Sequence, residues 1–256
     1  MDIEEKKEHT RIAAVGDLHV RVTDRGKWKE YFAAICREAD VLVLAGDLTD
    51  TGDEDEAALL VDELKGCNIP IVGVLGNHDY EKGRQKIIKE TLAQSNMQIL
   101  DGESTIINGI GFAGVKGFGG GFDAAMLSKF GEEMMKHFVQ EAVDEALKLE
   151  RALARLGQHG GEVCKIAIMH YAPISATVEG EPLEIYPFLG SSRLLEPIQR
   201  HKVEAIFHGH AHKGKLGAQT PDGIPVWNVS LPLLSQQGRP HPFHLMKVEA
   251  TDLHHS

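Results

Sequence analysis

The sequence is poor in cysteine, and its three cysteines follow no metal-binding or redox spacing. Cys36, Cys67 and Cys164 are far apart in the chain, and none belongs to a CxxC pair. None lies beside histidine or aspartate in a recognisable nucleophile motif. We therefore expect buried free thiols in a reducing compartment, and no chemistry that depends on a thiolate.

The sequence also lacks any long apolar run. A membrane-spanning helix needs about 20 predominantly apolar residues, and no stretch reaches that length. Residues 1–8 are polar and do not contain the apolar segment of a signal peptide. A membrane protein is therefore not expected, and the sequence predicts a cytoplasmic location.

Basic side chains are in deficit. The 256 residues contain 27 lysines and arginines against 38 aspartates and glutamates, for a formal net charge of −11. This balance argues against binding to duplex nucleic acid or to an anionic membrane. It leaves open a small anionic substrate, because bound cations can reverse the local field.

Apolar runs alternate with helical patterns along the first part of the chain. Residues 11–15, 41–45 and 69–75 are apolar runs that predict buried strands. Between them, residues 28–39 and 53–64 carry apolar side chains at helical spacing. Strand, helix and strand in this order are typical of parallel βαβ units, so we expect an α/β fold.

The rest of the chain continues the pattern with more strands. A helix is predicted over residues 81–95 and a hairpin over residues 104–115, with Asn108-Gly109 as its type I′ turn. Later strands are expected over residues 163–169, 203–207, 224–231 and 242–249, the last two of them antiparallel.

We expect a single domain that spans residues 1–256, with an insertion around residues 116–161. Lys116 to Phe122 is a glycine-rich stretch without the order of a phosphate-binding loop, so it is either a surface loop or a substrate gate. Residues 131–156 then predict a long amphipathic helix. That helix either covers the body of the domain or forms a dimer seam, and the sequence does not give the oligomeric state.

Five of the apolar runs end in a polar residue that can bind a metal. These residues are Asp17 with His19, Asp47, Asn77 with His78, His170, and His208 with His210. Ligands of open α/β sheets bind outside the carboxyl ends of the strands, so five strand ends could converge on one site. The convergence predicts a metal centre.

The last of these strand ends has two histidines around a glycine. His208 and His210 are two positions apart, which places their side chains on one face if the strand is regular. Gly209 would let the backbone turn tightly. The pair could share one metal or two, or belong to a turn that is merely rich in histidine.

Apart from His78, the residues at these strand ends form a set of seven candidate ligands, namely carboxylates, imidazoles and one amide. This set suits manganese, iron or zinc, and it is too large for a single catalytic ion with an open position. Two ions bridged by a carboxylate would use it fully. Such centres clamp the attacking and leaving oxygens of an in-line displacement, so phosphate-ester hydrolysis is the predicted reaction class.

As a set, the five blocks resemble those of the calcineurin-like metallophosphoesterases. The blocks occur in the family order and span residues 17–210. The resemblance implies a four-layer αββα sandwich of two mixed β-sheets flanked by helices, with a two-metal centre at the strand ends. It also implies that water between two ions, at lowered pKa, provides a hydroxide nucleophile.

The resemblance divides the ligands between two divalent or mixed-valence ions of manganese, iron or zinc. The first ion would be held by Asp17, His19 and His210. The second ion would be held by Asn77, His170 and His208. Asp47 would bridge the two, since a carboxylate has two oxygens.

Two further residues follow from the same motif. His78 matches the family's histidine near the leaving group, where it donates a proton or stabilises charge. Asp79 would act with it by orienting its ring, or would only cap a helix. His212 lies outside the motif as we matched it, and we expect it on the rim of the site.

Departures from the family pattern narrow the range of expected substrates. Residues 46–52 lack the arginine that protein serine/threonine phosphatases carry after the bridging aspartate, and Asp79 stands where those enzymes have glutamate. The stretch is closer to bacterial phosphodiesterases, including those for cyclic nucleotides. We expect a phosphodiesterase or phosphomonoesterase for a small substrate. A metal-binding scaffold of the same fold without catalysis is the alternative.

Overall fold

The strands alternate with helices through the first half of the chain, as the apolar pattern predicts. The computed structural model describes residues 9–158 and 163–249. Its strands are β1 (His9–Val15), β2 (Val41–Ala45), β3 (Ile71–Val74), β4 (Met97–Ile99), β5 (Glu103–Ile107), β6 (Ile110–Gly114), β7 (Cys164–Ile168), β8 (Ala205–His208), β9 (Gly217–Gln219), β10 (Pro225–Asn228) and β11 (His244–Glu249). Its helices are α1 (Lys29–Glu38), α2 (Glu54–Glu63), α3 (Gln85–Leu92), α4 (Glu133–Leu156), α5 (Tyr186–Leu189), α6 (Leu195–Arg200) and α7 (Leu231–Leu234).

The strands form two mixed sheets. The first has the order β11-β1-β2-β3-β4, in which β1 to β4 are parallel and β11 is antiparallel to β1. The second has the order β5-β6-β7-β8-β10-β9, with parallel central strands and antiparallel edges. The predicted α/β fold of two mixed sheets flanked by helices is confirmed.

Side chains alternate between the two faces of the second sheet, and each face packs in a different hydrophobic layer. In β7, Ile166 packs into the core that also holds the first sheet, while Ala167 packs against the helical side. In β8, Phe207 and Ile206 divide in the same way. Because successive side chains of a strand point to opposite faces, one sheet contributes to both layers.

The helix α4 covers the outer face of the second sheet. Leu149, Leu153 and Leu156 are buried in the layer that contains Ala113 and Ala167 of β6 and β7. The long helix therefore covers the body of the domain, the first of the two alternatives that the sequence leaves open. None of the helices in the described residues is long and apolar enough to cross a membrane.

Several boundaries differ from the sequence prediction. The hairpin turn is confirmed, since Asn108 and Gly109 both have positive φ, at 52° and 76°. The strand predicted over residues 224–231 is the shorter β10, which is antiparallel to β9, as expected, but parallel to β8, and α7 follows it. The short strands β4 and β9 were not predicted, because three residues are too few for a clear alternation.

The cysteine prediction is wrong for two of the three residues. Cys36 on α1 and Cys67 after α2 form a disulfide, with Cα atoms 5.9 Å apart. The βαβ topology brings the ends of the two helices together, which their spacing in sequence does not reveal. Cys164 is a partly buried free thiol, and burial raises its pKa to about 11. The cysteines therefore give no argument for a reducing compartment.

Opening this disulfide should destabilise the protein. The two cysteines are 31 residues apart, and a loop of that length contributes about 4 kcal/mol in the chain-entropy description. We expect Cys67→Ala to lower the Tm by about 5–10 °C. The Tm of this variant should no longer fall when dithiothreitol is added. Cys164→Ala is the control and should keep that response. Three reactive thiols, rather than one, in the denatured unreduced protein would contradict the disulfide.

Candidate metal centre

The candidate ligands lie at the carboxyl ends of parallel strands in both sheets. Asp17 and Asp47 follow β1 and β2, and Asn77 follows β3 of the first sheet. His170 follows β7 of the second sheet, and His208 is the last residue of β8. Because parallel strands end at the same edge of a sheet, these residues meet where the two sheets face each other.

Three groups of side chains bring their donor atoms within 4.8 Å of one another. The first group is Asp17, His19 and His212, and the second is Asp47, His170 and His210. A third group shares His19 with the first and adds Asp50 and His78. The groups therefore form one connected cluster of carboxylates and imidazoles.

Asp47 belongs to the second group and also faces the first. Its Oδ2 is 3.3 Å from His170 Nε2 and 3.8 Å from His19 Nε2. Its Oδ1 accepts a hydrogen bond of 2.9 Å from the backbone N–H of His78. One oxygen thus faces both groups while the other is anchored to the loop after β3.

Asn77 approaches the second group. Its Oδ1 lies 2.9 Å from Nε2 of His170, whose Nδ1 donates to the Ala45 carbonyl at 2.9 Å. The hydrogen bond to the Ala45 carbonyl fixes the His170 ring and leaves Nε2 directed at the cluster. Metal-binding histidines are commonly oriented by such a hydrogen bond from their second ring nitrogen.

The structure distributes the three late histidines differently from the sequence assignment. His210, expected with Asp17 and His19, lies in the group of Asp47 and His170. His212, expected on the rim, lies with Asp17, whose Oδ1 is 2.8 Å from its Nε2. The signal in the sequence is that His210 and His212 are also two positions apart.

The structure does not bring His208 into these groups. Its Nδ1 donates to the Gly209 carbonyl, and its Nε2 lies 2.8 Å from the Thr177 hydroxyl. It is fully buried, and burial lowers its pKa to about 4, so the ring is neutral. The assumption of a regular strand fails because β8 ends at His208, and His210 already has φ of 70°.

Backbone strain is concentrated at the cluster. Eight non-glycine residues in the described chain have positive φ, and four of them are Asp17, His19, Asp47 and His210. Such conformations cost about 1–3 kcal/mol each and persist where the surroundings determine them, typically at functional sites. The strain is therefore an independent mark of the site.

Two glycines allow the close approach of backbone and carboxylates. A Cβ at Gly209 would lie 2.2 Å from Asp17 Oδ2, and one at Gly76 would lie 2.1 Å from Asp47 Oδ1. In addition, the His210 N–H donates to both oxygens of Asp17 at 3.0 Å. Side chains at these glycines would displace the carboxylates.

The cluster fits a metal centre in its chemistry. His19 Nε2 is buried without a hydrogen-bond partner, as expected of a nitrogen that coordinates an ion. Burial lowers the pKa of His210 to about 4, which keeps that ring neutral and able to coordinate. Burial also opposes protonation of His170, but the Asp47 carboxylate raises its pKa to about 9. A cation beside Asp47 would take the place of that proton.

The orientation of His78 has a different cause from the expected one. Its Nδ1 donates to the backbone carbonyl of Asp50 at 2.7 Å, which leaves Nε2 as the available ring nitrogen. Asp79 makes its hydrogen bonds to the loops after β2 and β3 rather than to the His78 ring. It therefore neither orients that ring nor caps a helix. The sequence could not indicate this role of Asp50, because the backbone carbonyl and not the side chain contacts His78.

Asp79 joins the loops that follow β2 and β3. It is fully buried and accepts four hydrogen bonds, from the N–H groups of Leu48, Thr49 and Gly76 and from the Thr49 hydroxyl. Burial and the Asp47 carboxylate raise its pKa to about 6. The residue thus holds Asp47 and Asn77 at a fixed separation without facing the cluster itself.

Removing this carboxylate should loosen the site and the fold together. Asp79→Ala leaves three buried N–H groups unpaired, so we expect the free energy of unfolding to fall by about 3 kcal/mol. Urea denaturation of the metal-free protein measures the change. Asp62→Ala, at an exposed ion pair, is the control and should change stability by less than about 1 kcal/mol. Equal stabilities of the two variants would contradict this role.

Comparison with known proteins agrees with the fold. The sequence model of the calcineurin-like phosphoesterase family matches residues 10–214. The UDP-2,3-diacylglucosamine hydrolase of Salmonella typhi is 23% identical over 236 residues, which cover 88% of this chain and 91% of that protein.

Solved structures share the fold at lower identity. A phosphopantetheinyl hydrolase of Mycobacterium tuberculosis superposes with a TM-score of 0.60 at 16% identity, over 97% of this chain and 99% of that one. GAP50, described as the anchor in the inner membrane complex of Plasmodium, superposes with a TM-score of 0.52 at 13% identity, over 88% and 73%. The family match covers most of the sequence and includes the strand-end cluster. The chain therefore belongs to the calcineurin-like phosphoesterases, a family of metal-dependent phosphoric ester hydrolases.

Proposed function

We propose that the protein hydrolyses a phosphate ester at a centre of two metal ions bridged by Asp47. The observation that carries the proposal is the position of the Asp47 carboxylate, whose Oδ2 faces His170 of one donor group and His19 of the other. A carboxylate between two groups of imidazoles is the arrangement that a two-metal centre requires.

The ligand assignment follows the donor groups. Asp17, His19 and His212 would hold one ion, and Asn77, His170 and His210 would hold the other. In this assignment His208 supports the site from within the core. The donor set of oxygen and nitrogen favours manganese, iron or zinc. When bound, the two ions would polarise the phosphoryl oxygens and supply a hydroxide nucleophile at neutral pH.

His78 would act on the leaving group. Its ring is held through Nδ1 by the Asp50 carbonyl, and it stands edge-on to His19 with 4.5 Å between ring centroids. A protonated Nε2 in this position could donate a proton to the departing oxygen. The Asp50 contact keeps the ring from rotating away during the reaction.

The substrate would be a small phosphate ester, either a monoester or a diester. A cavity of about 580 Å³ opens beside Asp17 and His19 and continues to Lys27, Trp28 and Tyr31. That volume lies in the range of small-molecule sites. The similar proteins from Salmonella typhi and Mycobacterium tuberculosis are both named as hydrolases, one for UDP-2,3-diacylglucosamine and one for a phosphopantetheinyl group.

Hydrolysis should depend on Asp47 and His78. With Mn²⁺ supplied, we expect turnover of bis(p-nitrophenyl) phosphate or of p-nitrophenyl phosphate. Asp47→Asn should abolish most of it, because the bridge loses its charge. His78→Gln should lower kcat by about 10²–10⁴-fold, the usual contribution of a general acid.

The controls are an aspartate in a surface ion pair and an exposed histidine. Asp62→Asn and His137→Gln change side chains on the surface, where Asp62 pairs with Lys65 and His137 with Glu133. Both should retain the rate of the unchanged protein. Full activity of Asp47→Asn would contradict the mechanism.

Metal content separates the two assignments of the late histidines. We expect His212→Ala to lose about one of two bound ions, because it removes a ligand from the first group. His208→Ala should keep both ions and be less stable, because it leaves a cavity in the core. Elemental analysis after dialysis measures the stoichiometry. Loss of an ion in His208→Ala alone would restore the assignment made from the sequence.

A metal-binding scaffold without catalysis is the competing function. GAP50 has the same fold and is described as an anchor. In this chain, however, the donor groups and His78 are all present in one cluster. Two bound ions with no hydrolysis of any phosphate ester would favour the scaffold.

A further inference from the structure

Exposed apolar side chains are concentrated in two short segments. Ten large hydrophobic residues are exposed in the described chain, and six of them lie within residues 130–135 and 183–188. Phe130, Met134 and Leu183 are the most exposed, at 83%, 77% and 74%. Apolar surface concentrated in this way marks a binding site more often than scattered single residues do.

Phe138 links the helix that carries Met134 to the segment that carries Phe188. Phe138 lies one helical turn after Met134 on the same face of α4, and its ring is 6.0 Å from that of Phe188. On the other side, Phe138 packs against Phe118 at 4.8 Å. We call the resulting surface the apolar shelf, and its residues are Phe130, Met134, Phe138, Leu183, Ile185 and Phe188.

A crevice extends the shelf. It has a volume of about 470 Å³ and is lined by Leu183, Tyr186 and Pro187 from one side and by Phe122 and Ala125 from the other. Its walls are mainly apolar, so it can take a hydrocarbon chain but offers few partners for a polar one.

The shelf is continuous with the candidate metal centre. The Phe188 carbonyl accepts a hydrogen bond of 3.1 Å from Nε2 of His210. The ring of Tyr171 lies 4.5 Å from that of His210 and 5.9 Å from that of Phe118. The segment that carries Phe188 therefore borders the second donor group, and the shelf begins there.

The charges around the shelf do not suit an anionic membrane surface. Glu132 and Glu133 begin α4, and Glu184 lies between two shelf residues. Of the two nearby lysines, Lys136 is paired with Glu133 at 3.9 Å, and Lys129 donates a hydrogen bond to Gln140. A single amphipathic molecule that already has its phosphate at the metal centre meets no such repulsion along its apolar part.

We propose that the apolar shelf binds an alkyl or acyl arm of the phosphate ester whose phosphate lies at the metal centre. The inference rests on the proposed function and names its substrate class, an amphipathic phosphate ester. Each methylene group of the arm that leaves water for the shelf would favour binding. Met134 adds a flexible side chain that adapts to arms of different shape.

Esters of increasing chain length test the proposal. We would measure kcat/KM for the butyl, octyl and dodecyl diesters of p-nitrophenyl phosphate below their micelle concentrations. The unchanged protein should prefer dodecyl to butyl by about tenfold or more, given the free energy of burying eight further methylene groups. The double variant Met134→Ser with Leu183→Ser should lose most of this preference, and its exposed sites make unfolding an implausible cause.

The matched control changes two exposed apolar residues away from the shelf. Ile87 and Leu147 are 46% and 50% exposed, and Ile87→Ser with Leu147→Ser should keep the preference for dodecyl. Equal efficiencies for all three esters in the unchanged protein would overturn the proposal. So would a preference that both double variants reduce alike, because micellar or nonspecific contacts would then explain it.

Binding measured without turnover separates this proposal from the proposed function. Titration calorimetry with butyl and dodecyl phosphate should give at least about tenfold tighter binding of dodecyl phosphate, and this difference should vanish in the shelf variant. If no ester is hydrolysed but the difference persists, the proposed function fails and the shelf stands. If the shelf variant changes only binding to phosphatidylcholine vesicles or self-association, the shelf serves a membrane or a second copy and the proposal is wrong.

Discussion

The Asp79 carboxylate, buried between two loops, is the interaction on which the site depends. It accepts backbone N–H groups from the ends of both β2 and β3, and so fixes the distance between the loops that carry Asp47 and Asn77. An anion without a cationic partner is unfavourable in the core unless hydrogen bonds replace its water. Four hydrogen bonds meet that condition here. The neighbouring parallel strands would align the loops only roughly, whereas this carboxylate defines their separation.

The same rigidity supports strained residues at the strand ends. Asp17, His19, Asp47 and His210 have positive φ, which their side chains disfavour, and each needs neighbours that prevent relaxation. The His210 N–H supplies one such restraint by bonding both oxygens of Asp17 across the two sheets. Rigid strands below and short hydrogen-bonded loops above therefore hold donors in place before any ion binds. Such preorganisation is what a catalytic centre needs, because ligands that must move lose affinity and precision.

Much of this arrangement could be predicted from the sequence, because periodicity and strand ends are local signals. Apolar runs gave the strands, and the polar residues that end them gave the cluster. The structure places the late histidines differently: the family motif was matched at His208 and His210, whereas His210 and His212 lie in the donor groups. The expectation that His208 and His210 share a face holds only inside a strand, and β8 ends at His208. Which of three closely spaced histidines face the site depends on the turn at Gly209 and His210, and that turn depends on contacts with Asp17 far away in sequence. The Cys36–Cys67 pair was unpredictable for the same reason, since its geometry depends on how α1 and the end of α2 pack.

The surroundings of the two donor groups bear on the choice between monoester and diester. The cavity toward Trp28 and Tyr31 begins at Asp17 and His19 of the first group, whereas the apolar shelf begins at His210 of the second. In the proposed two-metal centre, a phosphate that carried one ester group would use only one of these surfaces. A diester carries two groups and could place one along each. The two surfaces also differ in character, since charged Arg21 and Lys27 border the cavity while hydrocarbon dominates the shelf. An ester with one polar and one apolar arm is the substrate that would use both, and its orientation on the ions would then be set by the arms rather than by the phosphate.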